Sequence, residues 1–203
     1  MTSPRRVVIA EDEALIRLDL AEMLAEEGYD VVGQAADGEQ ALDLVRDLRP
    51  DVVVLDVKMP RLDGISAAEV ISEERLAAVL MLTAFSQREL VERAVAAGAM
   101  AYLVKPFTQA DLVPAIEMAA VRFAQVRALE SEVDGLAGRL RARTLVDRAK
   151  SVLQESLGIS EPEAFRWIQK TAMDLRLSMS AVAQSVVDEG AHFAGRRNTD
   201  ATE

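Results

Sequence analysis

The sequence predicts an α/β domain built on a doubly wound, five-stranded parallel sheet, followed by a long helix and an all-α three-helix bundle. Three observations lead there. Up to Thr108, five short apolar runs alternate with helically patterned segments, as repeated strand–helix–strand units require. Beyond Thr108 the apolar residues recur only at helical spacing. The charge divides the same way. Residues 1–125 hold 12 Lys and Arg against 22 Asp and Glu, residues 126–138 hold 1 against 3, and residues 139–203 hold 10 against 9. An acidic first part and a near-neutral second part point to two units with different partners.

The elements follow in order. Arg6 to Ala10 (RVVIA) is a β-branched run suited to a buried parallel strand. Leu15 to Leu24 has helical spacing and Gly28 stops it. Val31 to Ala35 is the second strand. Asp37 can cap a helix running through Leu48, and Pro50 ends it. Val52 to Leu55 is the most apolar strand and leads directly into Asp56. A short helix follows Gly64. Val79 to Leu82 is the fourth strand, ending at Thr83, and a helix covers Gln87 to Ala97 before Gly98. Met100 to Val104 is the fifth strand, ending at Lys105-Pro106.

In a doubly wound sheet, functional groups gather beyond the carboxyl ends of the strands. Those positions hold Glu11 and Asp12, Asp56, Thr83 and Lys105. Three carboxylates in one crevice repel unless a cation sits among them. Oxygen ligands without His or Cys suit Mg²⁺. Lys105 adds a fixed positive charge and Thr83 a hydroxyl that can donate to a phosphoryl oxygen. These parts fit phosphoryl transfer to the Asp56 carboxylate.

Composition excludes several other chemistries. The chain has no cysteine, which excludes thiol nucleophiles and disulfides, and its single histidine, His192, argues against a histidine triad or a multi-histidine metal site. No apolar run approaches the roughly 18 residues of a membrane-spanning helix. Arg5 and Arg6 precede only a short apolar stretch before Glu11, Asp12 and Glu13, which does not read as a signal peptide. A cytoplasmic protein with no membrane partner is the expectation.

Residues 5–125 resemble the CheY-like receiver domain of two-component response regulators. The stretches VVIAEDEALIR, VVVLDVKMPRLDGI, LMLTAFS and AGAMAYLVKPF carry the resemblance. It implies a flavodoxin-like fold with Asp56 as phosphoacceptor, a sensor histidine kinase as phosphate donor, and Mg²⁺ as cofactor. It further implies that Asp12, Asp56, Glu11 and the backbone carbonyl of Lys58 hold the metal. Thr83 and Lys105 would contact the phosphoryl group, and the Lys105-Pro106 bond would be cis. Tyr102 would be the aromatic that turns inward on activation; the sequence leaves that role open against an ordinary half-buried strand aromatic.

After Thr108, Leu112, Ile116, Ala119, Phe123 and Val126 follow alternating spacings of four and three, and Leu129, Val133, Leu136 and Leu140 continue them with one shifted step. Two readings of this 112–140 linking helix stay open: a coiled-coil seam, or packing against the sheet and then the next domain. Gly135 and Gly138 are points of weakness where it can bend. Thr144 to Leu157, a helix from Ser160 to about Leu175, and one from Ser178 or Ser180 through Val187 form the terminal bundle. Ser160-Glu-Pro-Glu163 is a capping-box signature. Phe165 is read as core. Trp167 is open between exposure and packing. Residues 191–203 read as a flexible tail.

Arg139, Arg141, Arg143, Arg148 and Lys150 cluster in twelve residues with Asp147 the single acid among them, a pattern able to neutralise phosphates. Residues 135–190 resemble the ANTAR domain, the RNA-binding module of AmiR/NasR-type transcription antitermination regulators. Leu145 to Leu153, Leu157 to Ile168, Met173, Arg176 and Met179 to Val187 carry the resemblance, with departures at Ser151 and Gln154, where the family often has Gly and Met. It implies hairpin RNA as partner, with Arg148 and Lys150 as the first contacts and Arg143 and Arg176 next. The expectation is therefore a non-enzymatic, phosphorylation-dependent antiterminator that dimerises on phosphorylation, with the receiver at 1–125 and the RNA-binding domain at 135–190. A DNA-binding regulator and a protein-binding adaptor are the alternatives. DNA is not expected, because the three-residue turn and basic recognition helix of a helix-turn-helix are not found, and residues 178–190 hold no Lys or Arg.

Overall fold

The structure is a computed structural model and describes residues 3–84 and 88–190. The chain divides into two compact units, Met1–Ala128 and Leu129–Glu203. The expected tail at 191–203, with His192, lies outside the described residues.

The first unit carries strands β1 (Arg6–Ala10), β2 (Asp30–Ala35), β3 (Val52–Asp56), β4 (Ala78–Thr83) and β5 (Ala101–Val104). They form one parallel sheet in the order β2-β1-β3-β4-β5. Helices α1 (Ala14–Glu26), α2 (Gly38–Leu48), α3 (Gly64–Glu73) and α4 (Arg88–Ala96) connect them. Every strand and helix expected up to Lys105 is present, with ends shifted by one or two residues, as fraying elements allow.

Alternation along the strands builds two cores. Val7, Ile9, Val52, Val54, Leu80 and Leu82 face α1 and the start of α5 (Gln109–Leu157), meeting Leu20, Leu24, Leu112 and Ile116. Val8, Ala10, Val53, Leu55, Val79 and Met81 face α2, α3 and α4. Because β3 and β4 are covered on both sides, every one of their residues is buried. The strand order reverses direction between β1 and β3, so a crevice opens at their carboxyl ends. Glu11, Asp12 and Asp56 stand there.

Local caps fix the connections. The Asp37 side chain accepts from the Gln40 backbone N–H at 2.9 Å, and Asp63 does the same for Ser66 at 2.9 Å. Gly64 is required where it stands. A Cβ there would lie 1.9 Å from the backbone carbonyl oxygen of Asp56.

The first half of the linking segment on α5 packs on the sheet, as one of the two readings expects. Leu112, Ile116 and Ala119 are buried against the sheet. Leu129, Val133, Leu136 and Leu140 are instead exposed, at 62%, 63%, 54% and 66%. The helix runs through Gly135 and Gly138 unbroken.

In the second unit, Ala149 and Leu153 of α5 pack with Ala164, Ile168 and Ala172 of α6 (Glu161–Leu175) and Val182, Ala183 and Val186 of α7 (Met179–Glu189). This is the expected three-helix bundle. Glu163 accepts from the Ser160 backbone N–H at 2.9 Å, completing the predicted capping signature. Two expectations are corrected. Phe165 is not core but 43% exposed. The buried stripe on α6 runs through Ala164, Ile168, Thr171 and Ala172 and widens toward Trp167, which packs partly against it. Phe165 lies at the margin of that stripe, about 20° round the helix from Ala172 and nearly two turns before it. The turn between α6 and α7 does have three residues, Arg176 to Ser178, because Arg176 adopts a left-handed conformation that ends α6 abruptly. Helix α7 nonetheless carries no Lys or Arg.

Candidate functional site

The strand-end residues converge. Single carboxylate oxygens of Glu11, Asp12 and Asp56 lie within 4.8 Å of one another. Glu11 is 1% exposed and Asp56 6%, while Asp12 is open to solvent. Lys105 Nζ donates to Glu11 Oε2 and to Asp56 Oδ1, both at 2.6 Å. The other Asp56 oxygen, Oδ2, accepts from the Lys58 backbone N–H at 2.6 Å. Thr83 is buried at the end of β4, and its carbonyl accepts from the Lys105 backbone N–H at 2.8 Å. The sheet register sets Asp56 beside Leu82 and Thr83 beside Val104, so Thr83 ends the strand next to Asp56. The Lys105-Pro106 bond is cis, as expected. Tyr102 is 49% exposed on β5.

The electrostatics follow from burial. Glu11 is pushed above the usual carboxylate range, first by desolvation, against the pull of its Lys105 hydrogen bond and with the added push of the Asp56 charge. Burial alone would lower the Lys105 ammonium, but its bonds to Asp56 and Glu11 outweigh that and hold it above its ordinary value. A single cation therefore compensates two buried carboxylates while Asp12 adds a third. A donor set made only of oxygen, with more negative charge than Lys105 neutralises, fits a hard divalent cation. A cavity of about 480 Å³ opens beside it, lined in part by Asp12, Lys58, Pro60 and Arg93.

Two supporting residues carry no sequence signal. Arg17 Nη1 donates to the Glu11 carbonyl at 2.5 Å, fixing the backbone between the two acidic residues. Arg61 has a left-handed backbone and forms an ion pair with the fully buried Asp37 carboxylate. That pair, with the Gly38 N–H donating to the Leu62 carbonyl, anchors the loop after Asp56 to the start of α2. Only the fold brings positions 37 and 61 together.

The basic candidates lie in the second unit. Arg143, Arg148 and Arg176 are exposed. Lys150 is mostly covered and paired at 2.6 Å with both Asp147 and Glu161, whose hydrogen bonds raise it above its ordinary value. Arg143, Asp147 and Lys150 line a groove of about 500 Å³ with Ala142, Val146, Phe165, Met179 and Ser180.

Comparison with known proteins gives the same division. The model of the response regulator receiver domain matches residues 7–117, and that of the ANTAR domain matches residues 134–187. The chain is 60% identical over 185 residues to the transcriptional regulatory protein PdtaR of Mycobacterium tuberculosis, covering 91% of this chain and 90% of that one. It is 34% identical to the chemotaxis protein CheY of Thermotoga maritima over 55% of this chain and 94% of that one. Among solved structures, the CheX-CheY-BeF3-Mg complex of Borrelia burgdorferi matches with a TM-score of 0.53 and 29% identity, covering 56% of this chain and 87% of that one. A LuxR-family two-component response regulator from Aurantimonas matches with a TM-score of 0.56 and 31% identity, covering 64% and 99%.

Proposed function

The chain belongs to the two-component response regulators that join a receiver domain to an ANTAR domain, and from that premise we propose that it is a phosphorylation-controlled, RNA-binding transcription antiterminator. The observation that carries the switch is the Lys105 bridge from Asp56 to Glu11 beside Asp12. Asp56 takes the phosphoryl group from a phosphohistidine on a sensor kinase. Its carboxylate oxygen bonds to phosphorus as the P–N bond breaks, and the imidazole nitrogen leaves with its electron pair. Lys105 holds the phosphoryl oxygens by charge, and Thr83 donates its hydroxyl to one of them. Glu11, Asp12, Asp56 and the Lys58 carbonyl hold Mg²⁺, which supplies charge neutralisation for the incoming phosphate.

The modified aspartate gains about one negative charge or more and strong acceptor oxygens. Thr83 follows that charge, and Tyr102, now half in solvent, turns inward behind it. The response is a population shift; full switching takes about 5 kcal/mol of differential interaction. Its output is dimerisation, for which the exposed Leu129, Val133, Leu136 and Leu140 offer a seam spaced four, three and four.

The output unit, residues 135–190, binds hairpin RNA through Arg148, Arg143, Arg176 and Lys150. The exposed arginines are immediately available, whereas Lys150 must trade its two carboxylate partners for phosphate. The reading places the protein in the cytoplasm with nascent RNA and makes it a regulator rather than an enzyme. Among the described residues no helix is long and apolar enough to cross a membrane. The basic residues of α5 and the absence of Lys and Arg from α7 favour RNA over a helix-turn-helix contact with DNA.

The test is binding to a pool of terminator-proximal RNA hairpins, before and after phosphorylation by acetyl phosphate with Mg²⁺. Tighter binding after phosphorylation, lost in Asp56→Asn and weakened in Arg148→Ala and Lys150→Ala, is the expected result. A protein phosphorylated at Asp56 that binds no hairpin in either state overturns the RNA reading and leaves a protein-binding adaptor.

A further inference from the structure

The groove lined by Arg143 and Lys150 holds an exposed aromatic side chain that the bundle does not need. Phe165 is 43% exposed at the start of α6, while Ala164 before it is fully buried. An aromatic ring left this far in water forgoes the burial that normally holds such side chains in place. The ring borders the groove of about 500 Å³ between α5 and the starts of α6 and α7. Ala142, Val146 and Met179 give that groove an apolar floor. Its polar lining holds the Arg143 guanidinium, the Ser180 hydroxyl and the Asp147 carboxylate, the last paired at 2.6 Å with Lys150.

We propose that Phe165 is the stacking platform for one unpaired base of the RNA loop, and that Arg143, Asp147 and Ser180 read the edge of that base. The inference rests on the RNA-binding reading and names the contact that reading lacks. A nucleobase has flat faces for the ring and a rim of alternating donors and acceptors for the polar groups. A purely apolar occupant, such as an aliphatic peptide side chain, would cover the Arg143 guanidinium and the Asp147–Lys150 pair without meeting their remaining hydrogen-bonding capacity, at a desolvation cost. A lone phosphate would find Arg143 and Lys150 but would leave the Phe165 ring and the apolar lining without a partner. The groove therefore takes a base, and Arg148, exposed elsewhere on α5 and outside the groove lining, is left for backbone phosphate.

The division of labour predicts different responses to salt. Removing a phosphate contact lowers the dependence of affinity on salt, whereas removing a stacking contact weakens binding at every salt concentration alike. The experiment uses the full-length phosphorylated protein and the tightest hairpin from the pool above, with 2-aminopurine placed at each loop position in turn. Wild-type protein is expected to change the fluorescence at one loop position. Phe165→Tyr keeps that signal. Phe165→Leu, which retains an apolar side chain at an exposed site and so leaves the bundle folded, loses it and weakens binding roughly 5- to 150-fold with the salt slope unchanged. Arg148→Ala keeps the signal and lowers the slope. If Phe165→Leu binds as tightly as wild type with the same fluorescence change, the stacking role is wrong while RNA binding stands. If wild type binds no hairpin from the pool, the RNA reading itself fails.

Discussion

Lys105 Nζ lies 2.6 Å from Asp56 Oδ1, and this bond occupies the oxygen face that a phosphoryl group must enter or share. The same nitrogen holds Glu11 Oε2 at 2.6 Å, so Lys105 compensates a buried acid as well as the candidate phosphoacceptor. Lys105→Ala is expected to cost about 1–3 kcal/mol in metal-free urea melts, because a buried carboxylate loses its partner. Millimolar Mg²⁺ should recover part of that loss, since a divalent cation replaces the missing charge. An equal loss with and without Mg²⁺ contradicts the shared-cation account.

Asp12 is exposed, so exchanging its charge is cheap in the absence of metal. Asp12→Asn should change stability by less than about 0.5 kcal/mol in a chelating buffer. Wild-type protein should gain thermal stability as Mg²⁺ is added, and the variant should gain little. Thermal melts across a Mg²⁺ titration measure both. A variant that responds as strongly as wild type removes Asp12 from the metal set.

Gly64 supports the site through the absence of a side chain. In Gly64→Ala the new carbon would press on the Asp56 carbonyl, from a distance of 1.9 Å before relaxation. A loss of about 3 kcal/mol and slower phosphorylation by acetyl phosphate are expected, because backbone rather than a flexible side chain must move. Gly135→Ala is the contrasting case. Apart from its own turn of helix, nothing lies within 4 Å of its new carbon, and the substitution should stabilise α5 by about 0.5–1 kcal/mol.

Tyr29 donates to Glu117 Oε1 at 2.9 Å, and Arg5 clamps the same carboxylate at 2.8 Å. Burial first, and this hydrogen bond second, push the phenol up to about 12. The folded chain thus keeps a proton that the unfolded chain releases near pH ~10. The resulting stability is fully present below that value and is lost as pH rises toward the folded midpoint. Tyr102→Phe leaves Tyr29 as the single tyrosine, so ultraviolet titration of that variant reads its midpoint directly. Adding Glu117→Gln should lower the midpoint. A midpoint already at the ordinary value, unmoved by Glu117→Gln, refutes the assignment.

The exposed seam on α5 makes a prediction about assembly. Leu136→Asp places a charge in the middle of the Leu129–Leu140 stripe without disturbing any buried contact, since Leu136 is 54% exposed. The phosphorylated wild type should sediment as a dimer at micromolar concentration and the phosphorylated variant as a monomer. Identical sedimentation of the two would move the interface elsewhere.

Local pattern made the two units legible from the chain alone. Strand runs of five or so apolar residues, caps such as Asp37 and Ser160, and stops such as Gly28 act within a few residues of themselves, so sequence spacing reports them. The strand-end positions of Asp12, Asp56, Thr83 and Lys105 followed from the same logic, because strand direction in a parallel sheet fixes which ends share a crevice. Tertiary packing alone decided the rest. It set Lys105 between two specific carboxylates and paired Arg61 with Asp37 across 24 positions. It also divided α5 into a start buried on the sheet, an exposed stripe from Leu129 to Leu140, and an end buried in the bundle. It turned Phe165 outward, because three helices closing on Ala164, Ile168 and Ala172 leave room for only one stripe of α6. Periodicity says that a helix has an apolar face; which residues at its margin stay in solvent depends on the direction from which the neighbouring helices arrive.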